Sequence, residues 1–303
     1  MRRAALAILL CSPCQASRVG AWRETFSPHF EVSHETPLLP NGFTMDLERM
    51  HNRLRVELSL FAPWMANERI KLYYYASRKS YLAGEFKPPE WSNGLSEFRT
   101  KSVVTHEQES PKKLQSVIAH ETTHLLLKSY WGEQGKEPPP WLNEGLAMVE
   151  EAPDPESAER SDWHAALYTL TPTTIIPLEK FLPVGVKDLR SKEVITLWYI
   201  ESYSLVFYLL RKHTKLQFFT FCRSLRDGEP VEKALWKAYR IKDVGALEAE
   251  WKRWLKLPEV QQSFASINTR PREEPAPKGS RKKSGGLKEV SFDSFSFHNF
   301  RPQ

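Results

Sequence analysis

Apolar residues recur along this chain in two rhythms, one of three or four positions and one of two. Leu47, Met50, Leu54, Leu58 and Phe61 keep the helical spacing and stop before Pro63, which predicts an amphipathic helix. Ahead of it, Phe30, Glu31 and Val32 alternate as a first strand. Residues 70–76 form a second strand, and Tyr73, Tyr74 and Tyr75 within it reflect strand propensity. Pro88-Pro89 and Asn93-Gly94 mark turns, and residues 95–98 and 102–106 are spaced to pair as a hairpin. Ser110 followed by Pro111 then opens a helix, a hydroxyl N-cap before a proline at the first helical position. Leu114, Val117, Ile118, Leu125 and Leu126 give that helix a broad apolar face, and Gly132 offers a stop.

Beyond residue 132 the helical rhythm dominates. A second helix starts near Pro140, and another follows Pro153-Asp154-Pro155 to about residue 170. Residues 171–184 hold three prolines and read as an irregular connector. Helices follow over 194–212, 216–226, 231–240 and 244–255, the first with Trp198, Leu205, Val206, Leu209 and Leu210 as its core stripe. The whole is an α+β chain: a small N-terminal mixed sheet with helices over 26–151, a mostly helical part over 152–257, and a tail.

Composition supports a packed core, with 41% hydrophobic and 12% aromatic residues among 303. The net charge of +6 is unevenly spread. Residues 269–303 hold eight Lys/Arg and four acids, so +4 belongs to them and only +2 to the other 268 residues. That balance does not indicate a nucleic-acid-binding body. From residue 266 on, Pro, Ser, Gly, Lys and Arg make a disordered basic tail, interrupted by Phe292, Phe295, Phe297 and Phe300. At the other end, Arg2 and Arg3 precede a brief apolar run, and residues 1–16 look like a short signal peptide cleaved near Ala16. The expectation is an exported protein, periplasmic or extracellular, and membrane-associated if this segment is retained. The segment is too short to span a bilayer. Its loss removes Cys11 and Cys14 and leaves Cys222, among Phe218, Phe219 and Phe221, as a core residue without a disulfide partner.

The chemistry concentrates at His120-Glu121-Thr122-Thr123-His124. On a helix the two histidines of this H-E-x-x-H lie one turn apart on one face. Two imidazoles so spaced can hold one zinc ion, with Glu121 in reach of its water. Burying all three side chains without a metal would cost desolvation with no evident return. A third ligand is needed, and Glu144 of Pro140-Trp141-Leu142-Asn143-Glu144-Gly145 is the candidate, placed in the first turn of the second helix. The plainer alternative for Glu144 is a helix-start acid facing water. His29, His34 and His106 lack paired spacing and read as surface or core histidines.

H-E-x-x-H followed by W-L-N-E-G resembles the gluzincin metallopeptidases, in particular the peptidase-MA-like proteins related to the aminopeptidase N clan, over roughly residues 26–257. The resemblance implies that Glu144 is the third zinc ligand. The segment 199–206, Y-I-E-S-Y-S-L-V, is similar to the helix that presents a transition-state tyrosine in that group, which by position is Tyr199. On the residues alone, Tyr199 and Tyr203 are a pair on a buried helix whose default role is packing. The resemblance also implies that the last strand before the zinc helix is a sheet edge that takes substrate by strand addition. The G-x-M-E-N segment that holds a substrate amine in the aminopeptidases is missing here, so an endopeptidase is favoured.

These readings combine into a zinc-dependent metallopeptidase with one Zn2+ per chain on His120, His124 and Glu144, Glu121 as general base, Tyr199 as oxyanion donor, and a peptide or protein as substrate. Two other classes stay open: a zinc hydrolase of non-peptide bonds, and a non-catalytic interaction module that retains the metal site. The intact Glu121 argues against the module, since a structural zinc needs no base.

Overall fold

Residues 23–34 double back at a tight turn closed by the Ser27 N–H, which donates to the Phe30 carbonyl at 2.9 Å, and only the second arm alternates buried and half-buried side chains. β1 (Arg23–Phe26) pairs antiparallel with β2 (Phe30–His34). The structure is a computed structural model that describes residues 22–153, 161–171, 174–257 and 260. The predicted leader at 1–16 and the tail from 266 lie outside the described residues.

A parallel neighbour for β2 demands a crossover. The chain supplies α1 (Phe43–Leu58), which buries the expected Leu47, Met50, Leu54 and Leu58. It enters through Gly42, whose φ of 76° suits a residue without a side chain. β3 (Ile70–Tyr75) then lies parallel to β2, with Val32 opposite Leu72. A short helix α2 (Arg78–Ala83), capped by Ser77, leads to β4 (Gly94–Glu97) and β5 (Ser102–His106), which form the predicted antiparallel hairpin. The sheet order is β1-β2-β3-β5-β4. The strand that precedes the next helix, β5, is therefore interior, and the edge belongs to β4. This corrects the edge assigned to the last strand: the hairpin folds β4 to the outside while β5 pairs with β3.

α3 (Pro111–Gly132) begins as predicted, with Ser110 Oγ accepting from the Lys113 N–H at 3.1 Å. It packs with α1 on one face of the sheet, over Phe30, Val32, Ile70, Leu72 and Val103. Tyr75, Tyr81 and Val104 form a smaller apolar cluster on the other face. α4 (Pro140–Glu150) returns across α3. α5 (Asp162–Ala166) follows, and the connector predicted as irregular contains a single helical turn, α6 (Leu178–Phe181). Its three prolines forbid a longer helix but leave room for one turn after Pro177.

α7 (Lys192–Arg211) is the central helix of the C-terminal part. It is buried almost all round between Ile195 and Leu210, the mark of a helix enclosed by others. α8 (Lys215–Arg226), α9 (Val231–Tyr239) and α10 (Val244–Leu255) surround it. Cys222 is fully buried, as read from its phenylalanine neighbours. α4 lies directly on α7. A Cβ on Gly145 would come 2.3 Å from the Ser202 carbonyl oxygen, so the two backbones touch only because position 145 has no side chain. No helix among the described residues is long and apolar enough to cross a membrane.

Candidate metal centre

α3 has to bury a face that contains both histidines, and it does: His120 and His124 are 6% and 7% exposed. Their rings stand edge to face with centroids 4.6 Å apart. Both Nε2 atoms turn toward Glu144 of α4, at 3.9 Å for His120 and 3.7 Å for His124. None of these separations is a hydrogen bond. The three donor atoms lie within 4.8 Å of one another. Two ligands each 2.0–2.1 Å from one tetrahedral ion would be about 3.4 Å apart, so a small closure brings this set onto one metal. Two imidazoles and a carboxylate are also a donor set that zinc takes when one position stays open.

α4 starts at Pro140 with no acid in its first turn. Glu144 is its fifth residue, which corrects the first-turn placement read from the sequence. The helix dipole has faded there, and packing rather than the dipole aims the side chain. Asn143 and Gly145, on either side of Glu144, are buried against the body.

The imidazoles are held from behind by groups the sequence did not single out. His120 Nδ1 donates to Glu151 Oε1 at 2.9 Å, which leaves Nε2 free to face Glu144. Glu151 Oε2 in turn accepts from Ser116 Oγ at 3.1 Å and from Trp163 Nε1 at 3.3 Å. A carboxylate behind a metal-facing histidine fixes its tautomer and raises its basicity. Asn143 faces His124 and favours its charged form, although neither Asn143 Oδ1 nor His124 Nδ1 reaches standard hydrogen-bond geometry. The available signal for Glu151 was its spacing of seven from Glu144, which returns to the same helix face.

Electrostatics separate the two rings. Burial works against charge on His120, but the hydrogen-bonded Glu151 and the carboxylates of Glu121 and Glu144 outweigh it and push the ring up to about 9. His124 is pushed well below the ordinary histidine range by burial and then by charge on His120 and Lys128. Glu121 is pushed up to about 7, by burial first and by Glu144, against the pull of His120, Lys128 and the Ser96 hydroxyl. A buried nest of carboxylates that gathers protons in this way suits a bound cation.

β4 lies against Glu121. A Cβ on Gly94 would fall 2.6 Å from Glu121 Cγ and 2.9 Å from its Oε1. The free sheet edge therefore runs beside the carboxyl that flanks the donor set. On α7, Tyr199 is 3% exposed, and its hydroxyl is raised well above the ordinary range by burial and by the charge of Glu144. Tyr203, one turn on, points elsewhere: its hydroxyl lies 3.3 Å from His164 Nδ1 and 3.4 Å from Ser161 Oγ. The sequence left these tyrosines equivalent apart from the resemblance, and their surroundings distinguish them.

His29 also meets other donors, Glu48 and His51. The two rings stack at 3.9 Å and 14°. Parallel stacked rings cannot both aim in-plane lone pairs at one ion. Glu48 is already taken by Ser27 Oγ at 2.6 Å, the His29 N–H at 2.9 Å and His29 Nδ1 at 2.6 Å. This trio ties the β1–β2 turn to α1.

A small mixed sheet, a helix carrying H-E-x-x-H and a second helix returning a glutamate to both histidines define a class of protein, the metal-dependent peptidases. The profile of the Peptidase MA superfamily matches residues 58–257, and the chain belongs to that superfamily. The match includes α3, α4 and α7 and begins after β1 and β2, at the last residue of α1. Among curated proteins none matches the chain.

Proposed function

We propose that this peptidase is zinc-dependent and cleaves within peptide chains, using His120, His124 and Glu144 as metal ligands, Glu121 as general base and Tyr199 as oxyanion donor. The observation that carries the reading is the convergence of two imidazole Nε2 atoms and one carboxylate with no hydrogen bond among them. Zinc, when bound there, supplies a Lewis acid for the scissile carbonyl and lowers the pKa of water toward neutrality.

The protein's own groups account for the rest. Glu151 orients the His120 ring through its hydrogen bond to Nδ1, and Asn143 lies beside His124 and favours its charged form. Glu121, beside the donor set and not part of it, takes a proton from the attacking water and returns it to the leaving amine. Tyr199 keeps its proton in this setting and donates a hydrogen bond to the developing oxyanion, an interaction worth about a hundredfold or more in rate. β4 offers its unpaired backbone to an extended substrate, which Gly94 allows to approach Glu121. The missing G-x-M-E-N segment supports internal cleavage over removal of single N-terminal residues.

The test separates the two glutamates. Glu121→Gln keeps size but not the base, so it should retain stoichiometric zinc and lose roughly 10²–10⁴-fold in kcat. Glu144→Gln should lose zinc affinity, with activity partly restored by added metal. Elemental analysis beside cleavage of a quenched peptide library reads both. Wild-type protein that takes up no zinc in metal-replete buffer, or Glu121→Gln as active as wild type, overturns the proposal.

A further inference from the structure

Lys128 sits seven residues after Glu121 on α3, and therefore on nearly the same face, about 10 Å further along the axis. It is half-buried, and its ammonium makes no hydrogen bond or ion pair with any described residue. Helix side chains lean toward the N-terminus, which tips its ammonium back toward the metal centre. Its charge is felt by Glu121, His124 and Glu144 together. A half-buried ammonium beside the donor set, with no hydrogen-bonded carboxylate of its own, is open to an acidic group brought by a ligand.

The direction of β4 says which part of a substrate meets it. Gly94 lies on Val117 and Glu121, while Phe98, just past the strand, lies on Gly132, where a Cβ would come 2.7 Å from the phenyl ring. β4 therefore runs along α3 in the same sense. Antiparallel addition is the more stable pairing. A peptide added to β4 in that way carries its N-terminal half toward Phe98 and Gly132, past Lys128. At about 3.4 Å per residue, a 10 Å offset shortened by the lean of the side chain is two or three residues. A second cation stands at this end: the Arg99 guanidinium lies 5.7 Å above the Phe98 ring. Of the nearby acids, Glu97 accepts the Arg99 backbone N–H at 3.0 Å, and Glu133 faces Arg226 at 3.9 Å.

We infer that Lys128 is a specificity-determining residue that selects substrates with an aspartate or glutamate two or three residues upstream of the scissile bond. This rests on the peptidase reading given above. The same cation repels a free N-terminal amine, in keeping with internal cleavage.

The experiment uses one peptide series, identical except for Glu, Gln or Lys at each of four positions on either side of the cleaved bond. kcat/KM is measured with wild type, Lys128→Gln and Lys128→Glu, and affinity by fluorescence anisotropy in the uncleaving Glu121→Gln background with and without Lys128→Glu. Wild type should prefer Glu to Gln by about tenfold at the second or third upstream position, the size of one charge-assisted contact. Lys128→Gln should flatten that ratio, and Lys128→Glu should turn the preference toward Lys. Added salt should shrink the wild-type ratio, a readout independent of whether the variants fold. Equal ranking in all proteins, an acid preference confined to the downstream side, or a ratio indifferent to salt overturns the inference. If wild type cleaves none of the peptides, the peptidase reading falls, and the anisotropy ranking alone then decides for or against Lys128.

Discussion

A methyl group at position 94 would collide with the Glu121 side chain, so Gly94→Ala forces either the strand or the carboxyl to move. Neither shift touches the metal-facing atoms. The variant should match wild type in metal uptake and, to within a few degrees, in melting temperature, and lose roughly tenfold or more in kcat, since small misplacements of a reacting group are costly. Loss of metal instead would show that the strand also positions the ligands. Glu201 makes a separate prediction. It is fully buried on α7, accepts the Ile176 N–H at 2.6 Å with one oxygen, and leaves Oε2 without a partner. Burial first, and then Glu248, push its carboxyl up to about 8 from 4.5, with the Ile176 N–H and Lys252 opposing. The folded protein thus holds a proton that the unfolded chain releases. Its contribution to stability is full below pH 4.5 and is lost as pH rises through 8. Glu201→Gln should flatten this slope, with a relative gain of roughly 3–5 kcal/mol at the alkaline end by linkage. Urea melts of both proteins at several pH values measure it, and parallel slopes would refute it. At this scale the sequence was legible where spacing is local. His120, Glu121 and His124 declare themselves because four residues make one helical turn. Glu151 and Asn143 do not, because the Glu151 bond to His120 and the approach of Asn143 to His124 cross from one helix to another.

α4 and α7 show how two elements make one site. Gly145 follows Glu144 in W-L-N-E-G, and the sequence assigns it no role. Its place is structural: it lets α4 rest on the α7 backbone, which brings Glu144 and Tyr199 toward the same point. Gly145→Ala should force the helices apart, lower stability by about 1–3 kcal/mol or more, and weaken metal affinity and kcat together. A thermal melt with a chelator competition assay tests this, and an unchanged affinity would separate packing from the site. A second joint is ionic. Arg53 of α1 bonds both the carboxylate and the backbone oxygen of fully buried Glu150, the latter at 2.7 Å. Arg211 of α7 reaches Glu150 at 3.7 Å and Glu57 at 3.1 Å. Removing Arg53 leaves the fully buried Glu150 with Arg211 alone at 3.7 Å and its backbone oxygen without this donor, so Arg53→Ala should cost about 2–4 kcal/mol, measured by denaturant melts. A loss under 1 kcal/mol would show that water replaces the guanidinium. The longer helices and the inner strands were legible from periodicity to within a few residues, whereas β1 and the short α2 were not, being too brief and too exposed to show a period. Strand order was not, because nothing local to residues 102–106 says whether β3 or solvent lies beside them.

Across the whole molecule, metal and fold should be coupled. The donor set draws one residue pair from α3 and one residue from α4, so an ion that bridges them resists separation of these helices. At a hundredfold excess over Kd a ligand adds about 2.7 kcal/mol of stability. Chelation should therefore lower the melting temperature by roughly 5–10 °C, given 2–4 °C per kcal/mol for a body of this size. Restoration by zinc, and a much smaller shift in Glu144→Gln, complete the expected pattern. Identical melts with and without chelator would place the metal away from these helices.

The opposite margin of the sheet has a consequence for how the chain can be trimmed. β1 is four residues long, mostly exposed and begins with Arg23 and Glu24, a poor template for another strand. It covers β2, whose Phe30 and Val32 are fully buried. A cut near residue 16 would leave this cover whole. A cut beyond residue 26 would strip it, bare the backbone of an apolar strand, and turn this margin of the sheet into a seed for edge-to-edge association. Forms that begin at or before Arg23 should stay dispersed, and forms shortened beyond residue 26 should betray themselves by aggregating before they lose their helices.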